Sequence, residues 1–285
     1  MQTLRDVISD TASRGGVIWH FNFSEFTALK AAARVARDLN VPIIMGLSEG
    51  ERYFVGLREA AALIKSYRAE GVRIYLNADH TKSFTGIKAA VEAGFDAVIF
   101  DGSALPLAEN IRETKRVVDY VRMANPRIIV EGELGYIGTK SEVLEKVPDG
   151  VQKTTTEEAM GFVKETGVDM FAPAVGNVHG MLKSGHEPAL DIALIKKIKE
   201  ALRHAQGKPI PLVLHGASGN TDADIRAAIQ AGITVIHINT EIRRAWREKL
   251  EESLKGMPNE VAPYKLLAAG EEAVYQAIKS KIGGY

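Results

Sequence analysis

The sequence predicts a single α/β domain, residues 1–285, folded as a TIM (β/α)8 barrel. Eight short apolar runs alternate along the chain with longer segments whose apolar residues recur at helical spacing. This alternation favours a parallel sheet, because parallel neighbours need a crossover connection that a helix supplies. Polar residues follow the apolar runs one after another, which is typical of strands that open onto one shared face. A length of 285 residues suits one such barrel.

The predicted strands are short, and a helix separates each from the next. They cover residues 17–21, 41–47, 72–76, 97–100, 127–130, 170–174, 211–214 and 234–238. A short helix precedes the first strand, and segments 26–39 and 111–123 show clear helical spacing. An open doubly wound sheet is the alternative. It is less favoured, because no glycine-rich dinucleotide turn follows the first strand.

The connections between predicted elements are of two kinds. Glycine follows several predicted helices, at Gly71, Gly94, Gly167 and Gly232, where a left-handed residue commonly ends a helix. The connection over residues 135–156 is instead long and rich in Gly, Lys, Glu and Thr. A connection of that length is usually a functional lid or disordered, so we expect a mobile loop there.

The composition argues against several classes of function. Lys plus Arg and Asp plus Glu both number 36, so neither nucleic acid nor a membrane surface is an expected partner. The chain has no cysteine, which excludes disulfides and thiolate metal sites. The amino terminus lacks the apolar segment of a signal peptide, and no apolar run is long enough to span a bilayer. We therefore expect a cytoplasmic protein.

Three histidines follow three of the predicted strands: His80, His179 and His215. The carboxyl ends of barrel strands meet at one face, so we expect these imidazoles to converge. Any one of them alone would be more typical of a partly buried side chain. Three together match a catalytic zinc site with an open fourth position, where the metal polarises a carbonyl. Asp79 precedes His80 and is placed to move a proton near the metal.

Further polar residues fall at the other predicted strand ends. They are Asn22, Ser48, Asp101, Glu133 and Asn239. Random placement would scatter such groups between both ends of the barrel, so their common position predicts a single site. His20 falls inside the first predicted strand and is given no role.

Two stretches near the carboxyl terminus of the barrel indicate a phosphate site. His215-Gly216-Ala217-Ser218-Gly219 follows the seventh strand, and Asn239-Thr240-Glu241 follows the eighth. Loops at these positions often bind phosphate through backbone N–H groups and a helix amino terminus. Gly216 permits close approach of the backbone, and the hydroxyls of Ser218 and Thr240 can donate hydrogen bonds. Each stretch alone would be typical of a plain turn or a helix cap.

The polar motifs together resemble those of class II, zinc-dependent ketose-bisphosphate aldolases, in the same order over nearly the whole chain. The matching stretches are Asn77-Ala78-Asp79-His80, Phe100-Asp101-Gly102-Ser103, Val130-Glu131-Gly132-Glu133-Leu134-Gly135, Gly176-Asn177-Val178-His179-Gly180 and Leu214-His215-Gly216-Ala217-Ser218-Gly219. The resemblance implies a TIM barrel, commonly a homodimer or homotetramer. It also implies a lyase that cleaves fructose or tagatose 1,6-bisphosphate into two triose phosphates.

The resemblance also implies roles for individual residues. His80, His179 and His215 would bind zinc, and Asp79 would act as acid and base at the C4 hydroxyl of the ketose. Glu133 and Asp101 would lie near an alternative, more buried metal position. The residues expected to bind substrate or its phosphate are Asn22, Ser48, Gly180, Lys183, Gly216, Ser218, His237, Asn239 and Thr240.

Two further implications concern loops. Backbone carbonyls around Val178, Gly180 and Gly216 would form a monovalent-cation site for Na⁺ or K⁺. The 135–156 segment would supply the carboxylate that removes a proton from the substrate, and Glu142 is the candidate.

The chain departs from the family pattern at several positions. Thr81 stands where Gly or Cys is usual, Ala217 where Gly is usual, Lys265 where Arg is expected, and His237 where the family has Asn. His237 is bulkier than Asn and titrates nearer neutral pH, so the ketose remains open between fructose, tagatose and another sugar phosphate. A zinc-assisted hydrolase and a non-catalytic sugar-phosphate-binding barrel are the alternatives.

Overall fold

Parallel strands close into a barrel in the computed structural model, which describes residues 2–138, 142–185, 187–205, 207 and 209–285. The barrel strands are β1 (Ile18–Asn22), β2 (Ile43–Leu47), β3 (Ile74–Thr81), β4 (Ala97–Phe100), β5 (Ile129–Leu134), β7 (Met170–Pro173), β9 (Leu212–Leu214) and β10 (Ile233–Ile238). Two short strands, β6 (Val143–Leu144) and β8 (Met181–Leu182), pair outside the barrel. Around the barrel the strands follow the order β1, β10, β9, β7, β5, β4, β3, β2. The predicted TIM barrel is confirmed.

Helices surround the barrel, and one of them covers its amino-terminal end. They are α1 (Leu4–Ser13), α2 (Phe26–Asp38), α3 (Glu49–Val55), α4 (Leu57–Ala69), α5 (Phe84–Ala93), α6 (Leu107–Ala124), α7 (Thr156–Thr166), α8 (Ile192–Ala201), α9 (Asp222–Ala231), α10 (Thr240–Gly256) and α11 (Pro263–Gly283), with a 3-10 turn at Leu202–His204. Thr3 caps α1 by a reciprocal hydrogen-bond pair with Asp6, as in a capping box. The last helix, α11, packs against both α10 and α2.

The barrel interior has an apolar lower half and a polar upper half. The apolar half joins the underside of α1 to inward residues of the strands, and consists of Leu4, Val7, Ile8, Ile18, Ile44, Tyr75, Ala97, Ile129, Met170, Ala172, Val213 and Val235. The polar half begins with four buried side chains: His20, Asn77, Glu131 and His237. Because strand residues alternate between the two faces, these side chains follow inward apolar residues two positions earlier on their strands. The polar half leads directly to the carboxyl-terminal face.

Two strands continue further than their apolar runs predicted. β3 continues past residue 76 to Thr81, and β5 continues past residue 130 to Leu134. The pairing continues because the polar side chains find polar partners inside the barrel, and Asn77 and Thr81 still pair with β4. The register between β3 and β4 shifts after Ala78, next to Asp79 and His80. The metal-ligand candidate His80 therefore belongs to a strand and not to a loop.

The long 135–156 connection is tied down at several points. The carbonyl of Ile137 accepts the backbone N–H of His179 at 2.8 Å, and the hydroxyl of Thr154 donates to the carbonyl of Leu134 at 2.6 Å. Residues 139–141 lie outside the described residues, so the predicted mobile loop stays a prediction. Across the described ranges, no helix is both long and apolar enough to cross a membrane.

Candidate active site

The three histidines predicted from the strand ends meet at the carboxyl-terminal face of the barrel. His80 lies in β3, His179 follows β7 and His215 follows β9 directly. The ring centroids lie 4.6 Å apart for His80 and His179, 4.8 Å for His80 and His215, and 6.0 Å for His179 and His215. Three separate parts of the chain thus bring their imidazoles to one point.

The imidazole nitrogens are arranged as zinc requires. Nδ1 of His179 lies 2.6 Å from the carbonyl oxygen of Gly138 and donates to it. Its buried Nε2 finds no hydrogen-bond partner among the described residues. Nδ1 of His215 lies 3.2 Å from Nε2 of His80. Two nitrogens bound to zinc at about 2.0–2.1 Å in a tetrahedron lie about 3.3 Å apart, so this pair fits the ion. A ligand nitrogen of His179 lies within 4.8 Å of the other two.

The other ring nitrogen of His80 faces two carboxylates. Its Nδ1 lies 3.2 Å from Glu133 Oε2 and 3.4 Å from Asp101 Oδ2. His80 also has a φ of +42°, a left-handed conformation that is uncommon for residues other than glycine. Backbone strain of this kind concentrates at functional sites, where the surrounding structure holds it in place. His80, Asp101 and Glu133 form a second group able to hold a metal.

Two neighbouring groups of possible ligands do not offer a metal site. The rings of His20 and His237 are stacked 3.5 Å apart and only 5° from parallel, so their in-plane lone pairs cannot point at one ion near Asp79. Nε2 of His215 is already hydrogen-bonded to Glu131 at 2.7 Å, which leaves no space for an ion between them. The metal position therefore lies on the His80 side of the cluster.

Asp79 is held by one of its oxygens and leaves the other available. Its Oδ2 accepts a hydrogen bond of 2.9 Å from Asn22, which also donates to Glu51. Its Oδ1 lies 3.6 Å from Nδ1 of His237 and is left without a hydrogen-bond partner in the part of the chain that the structure describes. The buried guanidinium of Arg52 donates to the backbone carbonyl of Asp79 at 2.9 Å. This network aims one carboxylate oxygen at the metal position.

The electrostatics of the cluster follow from burial and from its own charges. Burial opposes ionisation of Asp79, but the charge of His80 and the nearby imidazole of His237 hold the pKa of this carboxyl well below its ordinary value. Burial lowers the pKa of His80, but the charges of Asp79 and Glu133 outweigh it and raise the pKa well above its ordinary value. Burial, with the charge of His80, lowers the pKa of His179 to about 4. The imidazole of His179 is therefore neutral at neutral pH.

A small cavity lies beside the histidines. It is lined by Asn22, Asp79, His80, His179, Gly180, His215, Gly216, Ser218, His237, Asn239 and Thr240. A β-carbon at position 216 would lie 2.1 Å from the carbonyl oxygen of Val178, so this position requires glycine. Thr240 begins α10, and the hydroxyl of Ser218 accepts the N–H of Asn239 at 3.2 Å. A helix amino terminus beside hydroxyl groups and a close loop is suited to an anion.

The comparisons with known proteins agree with this geometry. The chain matches the family described as "Fructose-bisphosphate aldolase class-II" over residues 2–284. It belongs to the class II fructose-bisphosphate aldolase family. The family is one of zinc-dependent lyases, and the barrel, the three histidines and Asp79 fit that chemistry.

Relatives within the aldolase family resemble the chain over almost its whole length. A fructose-bisphosphate aldolase of Geobacillus stearothermophilus is 32% identical over 98% of this chain and 95% of its own. One of Staphylococcus epidermidis is 31% identical over the same shares. The crystal structure of the YdjI aldolase from Escherichia coli K12 superposes with a TM-score of 0.82 at 29% identity, covering 99% of this chain and 96% of that one.

Most residues that the aldolase resemblance implied lie around the site. A second, larger cavity adjoins the first and is lined by Ser48, Glu49, Gly50, Asp79, His80, Lys82, Asp101, His179, Asn239 and Arg243. Glu133 lies against His80, inside the barrel mouth. Neither Lys183 nor Glu142 lines either cavity as the described residues define them. Lys183 is exposed and pairs with Glu145, and Glu142 is an exposed residue next to β6.

Two residues of the candidate site have no role that the sequence predicts. Glu131 is fully buried and binds the ligand candidate His215, and His20 is fully buried beneath His237. A signal for both exists in the alternation of strand residues, since His20 is two positions before Asn22 and Glu131 two before Glu133. Each therefore shares the inward face of its strand with a recognised polar residue.

Proposed function

We propose that this chain is a zinc-dependent aldolase that reversibly cleaves a ketose 1,6-bisphosphate, with fructose 1,6-bisphosphate the expected substrate. The products would be dihydroxyacetone phosphate and glyceraldehyde 3-phosphate. The observation that carries the proposal is the convergence of His80, His179 and His215 beside an available oxygen of Asp79, with the Nε2 of His179 unpaired among the described residues. An aldol cleavage needs this pairing of a carbonyl-polarising group with a proton carrier.

The metal would be held by the three imidazoles. His80 would bind through Nε2, His215 through Nδ1 and His179 through Nε2, because the opposite ring nitrogens face Glu133, Glu131 and Gly138. When bound, zinc supplies Lewis-acid polarisation of the substrate carbonyl. Asp101 and Glu133, with His80, would provide the alternative metal position, although these three residues are no more buried than the three histidines.

Asp79 would move the proton at the hydroxyl that becomes the aldehyde. In cleavage its carboxylate accepts the proton of the C4 hydroxyl, and in condensation it returns that proton to the new alkoxide. Three features support this role: the carboxyl lines the cavity, its Oδ1 is available and its pKa is held low. Asn22 orients the group through Oδ2, so the proton-carrying oxygen does not rotate freely.

The phosphate of dihydroxyacetone phosphate would lie between the ends of β9 and β10. The proposed contacts are Gly180, Gly216, Ser218, Asn239 and Thr240, with the amino terminus of α10. The close approach of Gly216 to the Val178 carbonyl supports a monovalent-cation site among the carbonyls of this loop pair. Lys183, at the surface beside Glu145, would reach the phosphate only after breaking that ion pair.

Glu142 remains the proposed loop carboxylate for proton abstraction. Its backbone carbonyl accepts the N–H of Met181 at 3.0 Å, so the residue is joined to the segment that follows His179. The predicted cytoplasmic location and the homodimer or homotetramer implied by the resemblance also stay predictions.

A different ketose phosphate is the second candidate, because of the groups around the far end of the substrate. His237 lines the first cavity, beside the three histidines. Lys82 and Arg243 line the second cavity, and Arg243 pairs with Glu51. The second phosphate of the substrate would have to compete with Glu51 for Arg243. The identity of the aldehyde half therefore depends on these three side chains.

One assay tests the proposal against its alternatives. Purified protein is given fructose or tagatose 1,6-bisphosphate, with and without a chelator, and triose phosphate is measured by a coupled reaction. We expect turnover that the chelator abolishes and zinc restores. A sugar-phosphate-binding protein would saturate without turnover. A hydrolase would release inorganic phosphate and resist a dihydroxyacetone phosphate analogue.

A further inference from the structure

His20 occupies a position in the polar half of the barrel that the proposed chemistry does not use. The side chain points inward from the middle of β1 and is completely buried. Below it lies the apolar half of the interior, with Ile18 two residues earlier on the same face. Placing an imidazole there has a desolvation cost, which an aliphatic side chain would avoid.

The ring of His20 is fixed by three neighbours. It stacks on the ring of His237 with centroids 3.5 Å apart and planes within 5° of parallel. Its Nε2 lies 3.1 Å from the amide nitrogen of Asn77. On β2, a β-carbon at position 46 would lie 2.2 Å from Cε1 of His20 and 2.4 Å from Nε2. Gly46 therefore provides the space that the ring fills.

His237 lies between His20 and the residues of the proposed chemistry. It lines the substrate cavity, its ring centroid lies 4.1 Å from that of His215, and its Nδ1 lies 3.6 Å from Asp79 Oδ1. A displacement of His237 would therefore change the floor of the cavity, a metal ligand and the proton carrier together.

We propose that His20 is a positioning residue for this site and that Gly46 provides the space in which its ring lies. His20 acts through His237: the flat, supported ring sets the height and tilt of His237, and with them the relation between His215 and Asp79. The inference rests on the proposed aldolase function. It adds to that function two residues, His20 and Gly46, that align the reacting groups without touching the substrate.

The physical reason is that a stacked ring fixes orientation as well as space. An aliphatic group could fill the volume under His237, but it would not hold the plane of an imidazole within a few degrees. A misplacement of reacting groups by about 1 Å can lower a rate by about 100-fold.

The test uses three variants: His20→Ala, Gly46→Ala and the double variant. We expect each single substitution to lower kcat by about 10- to 100-fold, with KM and zinc content unchanged. In the His20→Ala background the added methyl group at position 46 meets no ring. Gly46→Ala should then cause no further loss of kcat. Losses that multiply in the double variant, or an unchanged kcat in His20→Ala, would overturn the proposal.

Ile8→Ala is the matched control for packing. It removes volume from the same barrel interior, but Ile8 lies on α1 in the apolar half, away from the polar side chains. We expect its kcat to stay at the wild-type value. An equal fall of kcat in this variant would show that His20 acts by general packing alone, and the positioning role would be rejected.

A second measurement decides the inference even if the wild-type protein shows no turnover, which would contradict the proposed function alone. The side-chain nitrogen resonances of the histidines are recorded by NMR on zinc-free protein. Gly46→Ala should shift the signals of both His237 and His215, and Ile8→Ala should shift neither. Unshifted His215 signals in Gly46→Ala would refute the relay from His20 through His237.

Discussion

Nε2 of His215 lies 2.7 Å from Oε1 of Glu131, and both side chains are buried. Since the ring donates a hydrogen bond at Nε2, its other nitrogen, Nδ1, is left with a lone pair that faces Nε2 of His80. A carboxylate that fixes the tautomer of a metal-binding imidazole is a common second layer of support around zinc. Glu131 would therefore support the proposed metal site without being one of its ligands.

Replacement of Glu131 should weaken zinc binding. Glu131→Ala removes the acceptor that orients His215, and we expect zinc affinity to fall by about 10- to 100-fold. Glu131→Gln keeps an acceptor oxygen of similar reach, so its loss should be smaller. Competition with a chromophoric chelator measures both. Equal affinities in wild type and Glu131→Ala would contradict the assigned support.

His179→Ala should remove zinc and turnover together. The Nε2 of His179 is a buried nitrogen with no competing hydrogen bond among the described residues, so its removal takes one of the three proposed ligands away. Metal analysis of the purified variant, next to a coupled aldolase assay, checks the prediction. Wild-type zinc content in His179→Ala would refute the ligand assignment.

Asp79→Asn should separate chemistry from metal binding. The amide keeps the size of the carboxyl and its place beside Asn22, but it cannot accept the proton. We expect zinc content to persist and kcat to fall by about 10²- to 10⁴-fold, the usual contribution of a general acid or base. The control is the zinc content of the same sample. If kcat stays at the wild-type value, Asp79 is not the proton carrier.

Zinc affinity should rise with pH beyond the ordinary histidine range. In the zinc-free protein, burial lowers the pKa of His80, but Asp79 and Glu133 raise it well above its ordinary value. Zinc must therefore displace a proton at neutral pH, and its affinity should increase until the pH passes this raised pKa. Titrations between about pH 6 and about pH 9 measure this dependence.

The stability of the zinc-free protein should fall as the pH rises, whereas the zinc affinity increases. A pKa that is raised on folding contributes stability below the unfolded-state pKa and loses it as the pH rises through the folded-state value. Glu133→Gln removes one of the charges responsible and should flatten both trends. A zinc affinity that is constant above about pH 6.5 would contradict the prediction.

Arg5→Ala should lower stability without changing the chemistry. Arg5, on α1, donates to both oxygens of Asp169 at 2.6 and 3.0 Å and to the carbonyl of Ile128 at 3.1 Å. Since Arg5 is 35% exposed and partly screened by solvent, we expect a loss of about 1–3 kcal/mol in the free energy of unfolding.

Arg14→Ala is the control for Arg5→Ala. Arg14 is exposed and donates to the backbone carbonyl of Asp10, so its removal should change stability by less than about 0.5 kcal/mol. Denaturant unfolding measures both variants, and kcat at low temperature should equal wild type in each. Equal stabilities for the two variants would show that the Asp169 contact does not hold α1 to the barrel.

Much of the fold and part of the site could be predicted from the sequence because they depend on local pattern. Apolar runs followed by His80, His179 and His215 indicate strand ends, and the geometry of a parallel barrel brings strand ends together. The lengths of β3 and β5 could not be predicted in this way. Asn77 and Glu131 look like the end of an apolar run, but inside the closed barrel they have polar neighbours.

The sequence by itself determined the order of strands and helices, the three imidazoles, Asp79 and the glycine- and hydroxyl-rich loops of the anion site. Only the tertiary structure decided which side chains support them, because His20, Gly46 and His237 come from three different strands. Their contact depends on barrel closure and strand register. The tertiary structure also decided that Lys183 lies at the surface beside Glu145, since the position of a loop side chain depends on neighbours that no local pattern specifies.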